Sequence, residues 1–158
     1  DEDGEPSFEH HPAASVPTIE LPSASIRLVA GTGWGATSPV GVSSPLVLAQ
    51  IDLVDAAQVS LDAEHPERAV LAVDGRVTVD AVALDPGQLA VITPGSRPVV
   101  RGPGRCMLLG GDPIGPRRIW WNFVHSDPDR IEEAKAAWAA QRFPLVPDDH
   151  DPWVPAPA

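Results

Sequence analysis

Glu64, His65, Glu67 and Arg68 bring two carboxylates, an imidazole and a guanidinium together in the middle of the chain. A neutral imidazole beside ionised carboxylates offers lone pairs to a divalent metal, or an acid and a base for proton transfer. Two readings are open: a small polar pocket built on Glu64, His65 and Glu67, or the solvated end of a strand. His10 and His11 also concentrate metal-ligating groups, but adjacent side chains diverge on an extended segment, so a linker or interface pair is expected. His125 is expected as a local hydrogen-bonding or exposed residue, and His150 as an exposed member of an acidic tail. Cys106 is the single cysteine, which rules out an intramolecular disulfide and a thiolate metal cluster. Its neighbours Met107, Leu108 and Leu109 mark it as a small core residue rather than a nucleophile. Gly31-Thr32-Gly33-Trp34-Gly35 has closely spaced glycines without the strand-to-helix setting of a phosphate loop. Serine-nucleophile motifs and carboxylate pairs in apolar surroundings are missing, so nothing points to hydrolysis.

The elements that must position these groups read as short β-prone runs. Strands are expected near residues 18–21, 26–30, 46–53, 58–61, 69–73, 76–79, 89–92, 98–101, 106–109 and 119–124. Asp74-Gly75 reads as a tight hairpin turn, and Asp85-Pro86-Gly87 and Pro94-Gly95 as further breaks. Many short strands at this spacing predict a sandwich or barrel. One helix is expected over 126–143, with Ser126 or Asp127 as N-cap, Pro128 in the first turn and Asp129 near the N-terminus. Ile131, Ala134 and Trp138 would form its narrow apolar stripe. The divisions are a linker over 1–17, a barrel over 18–125, the helix, and a Pro-rich acidic tail over 144–158 anchored by Trp153.

A chain of 158 residues can bury a proper single core. The net charge of −11 comes mainly from the ends: Asp1, Glu2, Asp3, Glu5 and Glu9 before residue 17, and Asp148, Asp149 and Asp151 in the tail, all unopposed by Lys or Arg. These read as solvated extensions. Without a basic stripe the chain is a poor partner for nucleic acid, whose affinity rests on phosphate neutralisation. It has no run approaching the ~20 apolar residues of a membrane span and no signal-like opening, so no membrane contact is expected and a cytoplasmic location is. Ten arginines against the single Lys135 suggest a GC-rich bacterial source.

Residues 119–143 are the most distinctive stretch. Trp120, Trp121 and Phe123 lie on a strand-like run that leads into the helix cap. Together with Leu108-Leu109-Gly110-Gly111-Asp112-Pro113, Phe143-Pro144-Leu145-Val146-Pro147 and the opening from Pro6 to Pro17, this segment resembles the C-terminal half of the pirin family. Pirins are two-domain cupins. The resemblance implies an all-β cupin-type double-stranded β-helix, a jelly-roll barrel, with one C-terminal α-helix.

It also implies a metal motif of two histidines and a glutamate, with a third histidine in a second motif. Counted back from Gly75, the glutamate position is Arg68, and the histidine positions are Asp62 and Glu64, or Leu61 and Ala63 at the longer spacing. His65 is one residue out of phase and would face the other side of a strand. Counted from Pro94, the second histidine position is Val99 and the asparagine position Pro103. The ligand set is therefore degenerate, and no cofactor is expected in this chain. Iron or another divalent metal is expected only in an N-terminal cupin. The resemblance implies a structural and regulatory module that packs against an N-terminal pirin cupin or a regulatory protein such as a transcription factor, with Trp120, Trp121, Phe123 and Trp138 as interface and packing residues and the helix and Pro-rich tail clamping one barrel against the other. The alternative is a quercetin 2,3-dioxygenase-like metal-dependent oxidoreductase with its activity mainly in the other cupin, or a non-standard site near Glu64 and His65.

Overall fold

The computed structural model describes residues 2–4, 8–145 and 153–157. The expectations for Asp1, Glu5, Asp148, Asp149, His150 and Asp151 fall outside them. The chain divides into two compact units, Glu5–Pro113 on one side and Glu2–Gly4 with Ile114–Ala158 on the other. The helix is too short to cross a membrane, and no other helix among the described residues is long and apolar enough.

The first unit is a two-sheet jelly-roll sandwich. Its strands are β1 (Thr18–Leu21), β2 (Ala24–Gly33), β3 (Ala36–Thr37), β4 (Leu46–Leu53), β5 (Gln58–Ser60), β6 (Glu67–Gly75), β7 (Val77–Val79), β8 (Val82–Leu84), β9 (Leu89–Ile92), β10 (Val99–Arg101) and β11 (Gly104–Gly111). One sheet runs β1-β2-β4-β11-β6-β9, with β3 paired to β2; the other runs β5-β10-β7-β8. Every pairing is antiparallel. Strand alternation sorts the side chains: in β4, Val47, Ala49, Ile51 and Leu53 are buried, while their neighbours are only partly so. They join Ile26, Leu28, Val70, Ala72, Val77, Val100, Cys106 and Leu108 in one aliphatic core drawn from both sheets.

In this unit the expected strands are present, three with the expected ends and the others with ends shifted by up to three residues; β3 and β8 have no counterpart among them. The turn reading of Asp74-Gly75 is corrected: both lie inside β6, and β6 and β7 belong to different sheets. Gly75, at φ 70°, lets the chain pass over Gly104, whose Cα would lie 2.6 Å from an added Cβ. The tight hairpins are elsewhere. Trp34 and Gly35, both at positive φ, join β2 to β3, and Asp80-Ala81 joins β7 to β8. Asp80 holds its left-handed backbone while its side chain accepts from the Val99 N–H at 2.9 Å.

In the second unit the expected strand over 119–124 is a hairpin instead. β12 (Arg118–Trp120) pairs with β13 (Phe123–His125), and Trp120 sits opposite Phe123 across a two-residue turn. Trp121 takes a left-handed conformation there (φ 54°), uncommon for so large a residue. The helix α1 spans Pro128–Ala139, shorter than 126–143. Asp127 is its N-cap, accepting from the Asp129 N–H at 2.9 Å, and Ile131 is its buried residue.

Candidate functional site

The segment between β5 and β6 leaves the sheet, so residues 61–66 do not follow strand alternation. That corrects the phase argument for His65. Its side chain turns inward, 4% exposed, and lines a closed space with Asp62, Glu64, Arg68 and Thr32. His65 Nδ1 lies 3.1 Å from Asp112 Oδ1, a residue contributed by the end of β11. Arg68 opens the inward face of β6 and is also 4% exposed. Its Nη1 donates to the Asp62 carbonyl and its Nη2 to the Ser96 carbonyl at 2.8 Å. Gly110, directly opposite on β11, clears the space for the arginine stem; an added Cβ would come within 2.9 Å of Arg68 Cγ. The guanidinium thus ties the 61–66 segment and the turn after β9 to β6.

Glu64 and His65 line the closed space; Glu67 points to the outer surface, beside Pro66 and Ala69. Of the degenerate motif positions, Asp62, Glu64 and Arg68 converge there, whereas Val99 sits on β10, outside the lining. At the longer spacing, Leu61 is core. Thr32 on β2, Ser96 after β9, Gly110 on β11 and Asp112 just past it are the members missed from sequence, since none is adjacent to the cluster in the chain.

A resident metal does not fit these residues. The carboxylate position holds a guanidinium, whose positive charge would repel a cation. Among the described residues no group of three or more His, Cys, Asp or Glu side chains is placed to hold a metal ion. The closed space measures about 10 Å³, room for a water-sized sphere and not for an organic substrate. His10 and His11 do not act together: His11 Nε2 lies 3.1 Å from Glu9, and His10 is exposed. Cys106 is fully buried, and burial pushes its thiol up to about 12, so it carries no thiolate at neutral pH.

The outer face of the larger sheet is unusual in another way. An antiparallel sheet with one face on the core normally turns polar residues to water. Here the register lines up Leu48, Leu109, Ala69 and Val91 in one cross-strand row, and Gln50, Met107, Leu71 and Leu89 in the next. Val91 is 80% exposed and Leu89 53%. An open groove of about 520 Å³ runs along this face past Pro66, Pro94 and Gly110.

In the second unit the aromatic residues pack on each other. Trp138 meets Trp121, Phe123, Phe143 and Trp153 at centroid distances of 4.3–6.3 Å, and its indole N–H donates to the Val154 carbonyl at 2.9 Å. Trp120 stacks on Phe123 and carries the Lys135 ammonium 4.7 Å above its ring. Two of the acidic residues expected to be solvated are paired in this unit. Glu2 accepts from the Ser126 hydroxyl and N–H and lies 3.1 Å from Arg117 Nε, while Asp3 lies 3.4 Å from His125 and Arg130. The Ser126 hydroxyl bond leads the interactions that hold the Glu2 carboxyl below its usual range against desolvation. His125 Nδ1 accepts from the Asp127 N–H, a local bond as expected.

The family model of the pirin C-terminal cupin domain matches residues 48–144. A pirin-like protein of Caulobacter vibrioides is 45% identical over 99% of this chain and 55% of its own length. A crystal structure of quercetin 2,3-dioxygenase from Acinetobacter baumannii superposes with a TM-score of 0.86 at 30% identity, covering 98% of this chain and 53% of that one. Another structure of that enzyme, at 21% identity and a TM-score of 0.76, covers 84% and 49% and supports the cupin fold alone. The chain spans about half the length of each of these relatives. With one sandwich of the cupin type, one helix and a match over most of its length, this chain belongs to the pirin family and carries its C-terminal cupin domain.

Proposed function

We propose that the chain is a metal-free C-terminal cupin that serves a pirin-like protein as a structural and regulatory module, packing against an N-terminal cupin. The observation that carries this reading is the apolar outer face formed by Leu48, Leu109, Ala69 and Val91 beside Met107, Leu71 and Leu89. A contiguous apolar patch on a sheet face marks a contact surface. An N-terminal cupin is the favoured occupant because the relatives are about twice as long as this chain. A separate regulatory protein is the other occupant of the same face. The whole protein is read as cytoplasmic and bacterial.

The test is calorimetric titration of the chain with a separately produced N-terminal half of the pirin-like relative. Binding is expected, with at least a tenfold loss for the double variant Leu89→Glu, Val91→Glu and an unchanged circular dichroism spectrum. Equal binding by the variant, or no binding by the parent chain, would overturn the reading.

The likeness to quercetin 2,3-dioxygenase at 30% identity favours a second reading for the whole protein, a dioxygenase-like oxidoreductase whose chemistry takes place outside this chain. The small enclosed space and the guanidinium in the carboxylate position leave neither room for a flavonol nor a seat for a metal here. Metal analysis and a flavonol turnover assay on the chain alone are expected to give substoichiometric metal and no product. Stoichiometric metal with turnover would return the activity to this barrel.

A further inference from the structure

We propose that the closed space beside His65 is a one-water site, and that this water and the Arg68 guanidinium together fill the place a metal would need. Two buried polar atoms in the lining have no hydrogen-bond partner among the described residues: His65 Nε2 and Arg68 Nε. Their residues are each 4% exposed, so bulk water does not reach them. An unpaired buried polar atom forfeits its bond to water without a replacement, so two in one cavity call for a shared solution.

The chemistry of the two atoms is complementary. The Asp112 carboxylate can only accept, so in the neutral ring the proton sits on Nδ1 and Nε2 is left as an acceptor. Arg68 uses Nη1 and Nη2 on the Asp62 and Ser96 carbonyls, which leaves Nε–H as a donor. Water donates and accepts, so one molecule serves both. The space of about 10 Å³ matches one water. The Thr32 hydroxyl and the Glu64 carboxylate, 3.5 Å apart, line the same space and can complete its partners. A cation would meet the guanidinium N–H head on. An anion would meet the His65 lone pair and Glu64. Neutral water is the ligand class that conflicts with none of them.

The inference rests on the metal-free part of the reading above and is independent of any docked partner. Its consequence is that Arg68 acts as a positioning residue for the water, while the Asp112 carboxylate sets the Nδ1–H tautomer of His65.

The experiment is a high-resolution crystal structure of the chain, grown with bromide and manganese(II) and measured for anomalous scattering, beside long-range 1H–15N spectra of the histidine rings. One spherical density is expected about 2.7–3.2 Å from both His65 Nε2 and Arg68 Nε, without anomalous signal. His65 is expected with Nδ1 protonated, and Arg68→Met is expected to lose the ordered density while Asp112 keeps that tautomer. An empty space, the opposite tautomer, or the same ordered density in a folded Arg68→Met chain would overturn the inference alone. A manganese or bromide peak would overturn it, and manganese would overturn the metal-free reading as well. If Arg68→Met does not fold, the density and the tautomer of the parent chain decide.

Discussion

In the barrel unit the buried side chains are aliphatic and mostly small, and they interlock across two sheets in one core. In the hairpin and helix unit, six aromatic rings (Trp120, Trp121, Phe123, Trp138, Phe143 and Trp153) pack on one another, some stacked and more of them edge to face, and none is fully buried. The contrast teaches where apolar surface is left over. The aromatic rings turn faces toward each other, so their abundance reflects the internal packing of a small unit. The barrel has filled its interior with aliphatics and still presents two apolar rows outside. Exposed apolar surface that the fold does not use is the better sign of a contact than aromatic content.

The strongest way to break that contrast is inside the barrel. Ile51 is fully buried at the centre of β4, paired with Ile26 and Cys106. Ile51→Ala is expected to destabilise the barrel by about 2–5 kcal/mol, read from denaturant unfolding followed by β-sheet circular dichroism. A loss below about 1 kcal/mol would mean that the core is loosely packed.

Trp138→Ala tests the other side. The indole is half-buried but central to the ring cluster, so a loss of about 3 kcal/mol is expected, the low end for a large aromatic. Four of the five tryptophans lie in this unit and only Trp34 in the barrel, so fluorescence reports the cluster while circular dichroism reports the sheets. The expected result is a shifted fluorescence transition with the barrel signal little changed.

The smallest effect is a surface one. Partial burial raises the Asp52 carboxyl, but bonds from the Gln50 amide and the Arg105 guanidinium outweigh it and hold the group below its ordinary value. A carboxyl with a depressed folded pKa stabilises the fold above its unfolded pKa, about 4, and loses that contribution as pH falls through the folded value. Asp52→Asn should therefore lower the melting temperature slightly at pH 7 and leave it unchanged well below pH 4. Both partners are well exposed, so the shift is expected to be slight.

Much of this fold is legible in the chain because strand alternation and turn residues are local signals. Leu46–Leu53 and Leu89–Ile92 are readable to the residue, since each is a β-prone run between breakers. The hairpin at Trp121-Asn122 is not, because nothing in an unbroken Ile-Trp-Trp-Asn-Phe-Val run announces a left-handed tryptophan. Rings around Trp121 from Trp120, Phe123 and Trp138 accompany that conformation, and those contacts are tertiary. The closed space beside His65 was half legible. Arg68 in a carboxylate position told against a metal, but a strand-phase rule misplaced His65 because its segment is not a strand. Gly110 and Asp112 join the site through the β11–β6 register, which no spacing in the chain reveals.

The partner is proposed to dock on the barrel's outer sheet face and not on the aromatic unit. Methyl-labelled NMR of the chain titrated with the N-terminal half of the pirin-like relative distinguishes the two. Shifts are expected at the methyls of Leu71, Leu89, Val91 and Leu109. Shifts confined to Ile119 and Val124, the exposed pair on the β12–β13 hairpin, would contradict it.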